Sequence, residues 1–350
     1  MRLRGVIGAG AVAAFALCSQ NALAHHSFAP HFDANKPVNL AGTVTEFEAR
    51  NPHSYLHVNA VDENGQTREY VCESHGATQL ARNGITPDML KAGTKVRVMG
   101  SLSRHSPYMC FFDRLEFADG RTVSANGPTG PRTATASLPP RKDIFGTWLL
   151  APIPNRSTSG PQPMIQMLTP AGEKAVAAYN PFKDDPTFRC DPVGIRRVWG
   201  APGTPLEIVH DAGGNVVLHH EWMDVRRIVH LDMKEHPKNG PRSSLGHSIG
   251  HFEGDTLVVE TAGFSEGVLN QYVEQPGQPT KGLLHSAALT TTERLHLDAA
   301  RQRLVVDIDM TDSVFFKQPF PRATMEYAAS ELKMEPFNCS PEGVTGTVRK

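Results

Sequence analysis

The residues best suited to chemistry fall into two sets, one in each half of the chain. The stretch "NALAHHSFAPHFD" places His25 and His26 directly after Ala22-Leu23-Ala24. A chain that began at His25 would offer a free amine and an imidazole nitrogen to one ion. A third nitrogen from a distant histidine would complete a T-shaped N3 site, a histidine brace suited to Cu(II). A terminal amine titrates at roughly 7.7–8.0, so copper can displace its proton near neutral pH. His53, in the Asn51-Pro52-His53 turn, is the best third ligand, because the proline before it fixes the local backbone. His26 and His57 come next. The competing reading is a short solvated terminus, with His53 serving only its turn.

A second set lies in the later half: His247, His285, Glu260 and Glu293, on or beside expected strands. A histidine titrates near neutrality, so beside a carboxylate it can do general acid–base work in a hydrolase, isomerase or lyase. Arg226 and Arg227 are neighbours in "DVRRIV", and strand alternation points them to opposite faces, one of them inward. A buried arginine needs an acidic partner, and Glu260 or Glu293 fits. Arg226, Arg227 and Arg294 are the candidates to orient the polar end of a ligand in an apolar cavity. The alternative is a structural ion pair with histidines on solvent-facing positions. "GHSIG" has the letters of a serine-hydrolase elbow, but that motif needs a strand-turn-helix, and a hairpin pattern follows it here. "HHEW" lacks the second histidine of the helical zinc-protease motif.

Whether His25 is a terminus depends on targeting. Arg2 and Arg4 make a basic start, and Val6 to Leu17 is small and apolar but too short to span a bilayer. Ala22-Leu23-Ala24 fits the small-x-small cleavage rule. Cleavage after Ala24 is expected over lipid attachment at Cys18, because Leu17 is too large for that step. The later sequence has no long apolar segment, so an exported protein without membrane insertion is expected, periplasmic or secreted. Removal of residues 1–24 leaves 326 residues with 33 Lys plus Arg against 36 Asp plus Glu, a formal charge of −3. That balance argues against a nucleic-acid partner.

Four cysteines follow the leader: Cys72, Cys110, Cys190 and Cys339. In an oxidising compartment an even count reads as two disulfides. Three pairings are possible. Cys72–Cys110 with Cys190–Cys339 is favoured because each bridge then stays within one unit.

The elements that must position these residues are strands. Residues 118–142 have linker composition, rich in Gly, Pro, Ser, Thr and Ala. They divide a unit at 25–117 from one at 143–340, with a tail at 341–350. In the first, "VNLAGTVTEFEA", "SYLHVNAV" and "TREYVCE" read as strands, with Asn64-Gly65 turning the second hairpin. A short helix near Ala77 to Arg82 follows, then "TKVRVMGSLS" and "YMCFFDRLEF". Three strands, a helix and two strands is the order of an OB-like five-stranded small barrel; an open sandwich is the alternative. In the second, one helix, capped by Thr169 with Pro170 at its first position, precedes at least eight short strands with turn signals. This predicts a larger antiparallel barrel, with a sandwich as the alternative, and a lipocalin-like barrel if Gly146-Thr147-Trp148 is its Gly-x-Trp. A barrel of roughly eight to ten strands can enclose one small ligand.

The N-terminal part also resembles a bacterial family of exported domains, DUF6152. The resemblance rests on His25-His26-Ser27-Phe28, Phe32-Asp33, Gly42-Thr43-Val44 and Asn51-Pro52-His53, and covers about residues 25–117. The second half, with "VRRIVHLD", "GHSIGHFEGDTLVVETAGF" and "TTERLHLD", resembles a domain that often accompanies it. The resemblance implies an exported, two-domain, β-rich protein and supplies no reaction. The leading expectation is a binding protein, with copper at His25 and a small apolar molecule in the second barrel. An acid–base enzyme and an interaction module without a ligand are the alternatives. The sequence leaves oligomeric state open.

Overall fold

The computed structural model describes residues 31–127, 138–151, 167–201, 203–272 and 281–341. The first unit is built from β1 (Phe32–Glu48), β2 (His53–Val61), β3 (Thr67–His75), helix α1 (Ala77–Arg82), β4 (Lys95–Ser103), β5 (Met109–Phe117) and β6 (Thr122–Ser124). Strand order is β3-β2-β1-β4-β5-β6, and a parallel β3–β5 pairing closes the first five strands into a ring. This is the OB-like barrel that the element order predicts.

Alternation places Leu56, Val58 and Ala60 in the core, with Cys72, Val98, Cys110 and Phe112. The hairpin turn puts Gly65 at φ 75°, where a Cβ is disfavoured. β1 serves two neighbours, β2 and β4, and bends over its bulge between Val44 and Glu46. Gly42 lets it pass close to β2: a Cβ there would lie 2.4 Å from Val58 Cγ1 and 2.6 Å from the Asn59 carbonyl oxygen. Gly42→Ala is therefore expected to lower stability by about 1–3 kcal/mol, read by urea unfolding. β6 lies inside the stretch with linker composition; the sheet and the buried Ala125 carry the first unit on to Gly127.

The second unit begins with β7 (Gly146–Leu150). Helix α2 (Pro170–Ala178) has the expected cap, Thr169 Oγ1 accepting from Gly172 N at 3.2 Å. Two one-turn helices, α3 (Pro181–Asp184) and α4 (Ile195–Val198), lead to β8 (Pro205–His210), β9 (Val216–His220), β10 (Val225–His230), β11 (His247–Glu253) and β12 (Thr256–Ala262). A separate hairpin, β13 (Gly267–Tyr272) with β14 (Lys281–His285), precedes β15 (Thr290–Asp298), β16 (Arg303–Thr311) and β17 (Ala323–Ala329). Nine strands close in the order β10-β11-β12-β15-β16-β17-β7-β8-β9. An odd number of strands cannot close with every pair antiparallel. The exception is β10–β11, a parallel seam of two residue pairs. Inward positions carry Trp148, Leu206, Ile208, Leu218, Leu257, Leu295, Leu304 and Ile308, which form one buried cluster with Trp199 from just beyond α4. The barrel is thus filled by its own side chains.

Cys72–Cys110 and Cys190–Cys339 are both formed, the favoured pairing. Cys72 and Cys110 are register partners across β3–β5, so this bridge locks the ring where it closes. Among the described residues no helix is long and apolar enough to cross a membrane.

Candidate functional site

The two units meet at the end of the barrel where β9 turns into β10. The guanidinium of Arg82, the last residue of α1, donates to both oxygens of the fully buried Glu221, at 2.5 and 2.6 Å. Met223 and Asp224 follow at φ 61° and 49°, a left-handed turn costly for non-glycine residues. The Asp224 carboxylate accepts from Phe337 N at 3.0 Å. The chain after β17 therefore crosses from the barrel to the first unit as a strap. There Asn51 Nδ2 donates to the Phe337 carbonyl, and Ser340 N donates to Asn51 O at 2.7 Å. Cys190–Cys339 fastens the strap's end.

Between the units lies a cleft of about 40 Å³, lined by His53, His75, Gln79, Thr204, Trp222 and Phe337, among others. His53 and His75 are register partners at the ends of β2 and β3, so both side chains leave the sheet on one face. Their burial is similar, and Glu73 Oε1 lies 3.7 Å from His53 Nδ1. His75 Nε2 is 2.8 Å from Asn126 Oδ1. With Nε2–H donating to that oxygen, Nδ1 keeps the lone pair. A metal-ligating histidine typically donates its other ring N–H to such an acceptor, which fixes the tautomer. Burial pushes His75 below the usual histidine range, and His53 adds to the effect against the raising influence of Asn126. His75 is therefore neutral at pH 7, the form that ligates.

The other histidines considered for metal stand elsewhere. His57 faces outward on β2 but is held by Glu48, Nε2 to Oε1 at 2.9 Å, with Glu69 at 3.9 Å. His25 and His26 lie outside the described residues. Among the described residues no group of three or more His, Cys, Asp or Glu stands ready to hold a metal ion.

The acid–base candidates do not converge. Glu260 is exposed on the outside of β12, whereas Glu293 is fully buried inside the barrel. His285 is buried, with Nδ1 3.0 Å from the Ser286 carbonyl oxygen and its ring against Phe264. His247 begins β11, beside His230 and His236. Ser248 of "GHSIG" is buried at the second position of β11 and bonds Thr261 at 2.9 Å, with no elbow. Of the arginines, Arg226 is exposed and Arg227 is buried, as alternation requires. Arg294 pairs on the surface with Glu253 at 2.7 Å. Arg227 grips Glu293 with both Nη atoms, and Trp199 Nε1 donates to the same carboxylate. This is the structural ion pair, with Glu293 as the partner.

His220 lies one diagonal step from Arg227 on β9, with Trp199 edge-on at 4.9 Å. Its Nε2 and Arg227 Nε are buried without hydrogen-bond partners among the described residues. Burial, then the Arg227 charge, pushes His220 down to about 3. Because the folded-state value lies below that of the unfolded chain, the unfolded state binds the extra proton between about pH 6.5 and 3. Stability falls as pH drops through that window, by about 2 kcal/mol at pH 5. His220→Phe is expected to flatten that part of the stability–pH curve, measured by urea midpoints.

Sequence reading did not single out His75, Asn126, Arg82, Glu221 or Trp199. A signal for His75 was present. Counting outward from the Asn64-Gly65 turn pairs Val61 with Thr67 and hence His53 with His75. The others meet partners distant in sequence and leave no local pattern.

No curated protein and no solved structure matches the chain. The β-rich region that follows the first unit has no family match. The N-terminal region, residues 13–108, which holds His53, His75 and the strands that pair them, matches the model of a family of unknown function, DUF6152.

Proposed function

We propose that the protein is an exported copper-binding protein whose site lies in the cleft between its two units. His53 and His75 supply two imidazole nitrogens. Cleavage after Ala24 puts an amine and a third imidazole on His25. The observation that carries the reading is the register pairing of His53 with His75 at a cleft of about 40 Å³. Such a volume suits an ion with a water or two. Organic ligands occupy pockets of about 300–1,000 Å³. The packed interior of the larger barrel likewise favours a stabilising role for it over that of a carrier of an apolar molecule.

His25 is within reach. Phe32 contacts Phe111 at 5.5 Å and Phe111 contacts His75 at 5.6 Å, ring centre to ring centre, so Phe32 lies within about 11 Å of His75. His25 and His31 are six peptide steps apart in sequence, and a fully extended chain of six steps covers up to about 20 Å. Nitrogen donors suit Cu(II), and Trp222 and Phe337 add apolar lining to the cleft. The two disulfides fit an oxidising compartment such as the periplasm.

The test is mass spectrometry of protein purified from the periplasm, denatured and native, before and after one equivalent of Cu(II). The reading predicts a first residue at His25 and one retained copper, lost in His25→Ala and in His75→Ala with both disulfides intact. A different first residue, or no retained copper, overturns it.

A further inference from the structure

The crossover from β10 to β11 gathers three more histidines at the opposite end of β10 from Trp222. His236, in the connecting loop, places Nδ1 3.1 Å from Nδ1 of His247, the first residue of β11. The ring of His230, the last residue of β10, stacks on His247 with centres 4.9 Å apart and planes 9° apart. The loop is anchored beyond them: Arg242 Nη1 donates to the carbonyls of Phe264 and Ala287 at 3.0 and 2.5 Å.

A neutral imidazole has one N–H and one lone pair. Two Nδ1 atoms that face each other at this distance need either a proton or a cation between them. Imidazole nitrogens bound to zinc at about 2.0–2.1 Å stand about 2.9 Å apart at a right angle and about 3.3 Å apart at the tetrahedral angle. The observed 3.1 Å lies between these. Asp232 Oδ1 lies 4.0 Å from His230 Nδ1.

We propose that His236 and His247 form a second metal site, a two-imidazole seat for a divalent late transition ion such as zinc, with water completing the shell. Its place explains its use. The parallel β10–β11 seam has two residue pairs, fewer than any other seam of the barrel. An ion held by His236 and His247 ties the crossover loop to the strand that begins that seam.

The experiment is thermal unfolding of the full chain at rising Zn(II), with His236→Ala, His247→Ala and His53→Ala as variants. A ligand that binds only the folded state raises the midpoint with concentration, here by about 5–10 °C at a hundredfold excess over Kd. The expected result is a rise in the unaltered protein and in His53→Ala, absent in His236→Ala and His247→Ala. Near-equal midpoints of all four proteins in chelator show that the variants fold. No zinc-dependent rise, or the same rise in all four, overturns the proposal and leaves the contact an imidazole–imidazole hydrogen bond. His53→Ala separates this site from the cleft, so either can fail without the other.

Discussion

Replacing Arg227 by methionine is expected to destabilise the protein by about 3–5 kcal/mol. Arg227 and Glu293 have side-chain exposures of 1% and 0%, so neither can exchange its partner for water. Truncating the arginine leaves a carboxylate inside the barrel with Trp199 Nε1 as its remaining donor among the described residues. The loss spreads, because Trp199 also accepts from Tyr327 Oη through its carbonyl, linking the segment after α4 to β17. In a unit of this size the change lowers the thermal midpoint by roughly 6–20 °C. The double variant Arg227→Met/Glu293→Leu separates causes. An apolar replacement of the whole pair removes the stranded charge, and such exchanges are often neutral or better. The double variant is therefore expected to recover most of the single variant's loss in urea unfolding. If it is no more stable than Arg227→Met, the stranded charge is not the cause.

Removing the Cys190–Cys339 bridge with paired serines has the next largest effect. It closes a segment of sequence separation 149, against 38 for Cys72–Cys110. Loop-closure entropy assigns about 5 kcal/mol to the longer loop and about 4 to the shorter. The longer bridge also fastens the strap, whose Phe337 is buried and whose Glu335 N donates to Glu221 at 2.9 Å. Freed at Cys339, the strap no longer fixes Phe337 against the cleft. The double serine variant is expected to lose about 2–5 kcal/mol and, under the proposed copper reading, to retain copper less well. The corresponding Cys72/Cys110 variant leaves the strap in place. Equal copper retention by the two variants would show that the strap does not shape the site.

Strand periodicity carried most of the first unit. Leu56, Val58 and Ala60 alternate with Tyr55, His57 and Asn59 in the sequence as in the sheet. The element order, read with one helix between the third and fourth strands, leads to the closed ring. β6 escaped because Thr122–Ser124 is three residues long with one apolar side chain, Val123, and its pairing rests on β5 rather than on any apolar run of its own. In the second unit the turns marked the strands, but the hairpin of β13 and β14 was not identified. The parallel seam could not be read either, since two residue pairs impose no pattern. "DVRRIV" shows how far such reasoning reaches. Alternation requires one arginine inside and names two carboxylates, but choosing Arg227 and Glu293 takes the register of β10 and β15 within a closed barrel. At the cleft, His53 stood out through its turn, whereas His75 became its partner only once the hairpin register was counted through.

The most direct test of the copper reading counts nitrogens. Electron paramagnetic resonance of the processed protein with one equivalent of Cu(II) should show a single species with nitrogen hyperfine structure from the His25 amine and imidazole and from the cleft histidines. His75→Ala should change that spectrum, while His57→Ala should leave it as it was, because His57 is committed to Glu48. A spectrum indifferent to His53 and His75, or identical to that of copper in buffer, would contradict the account.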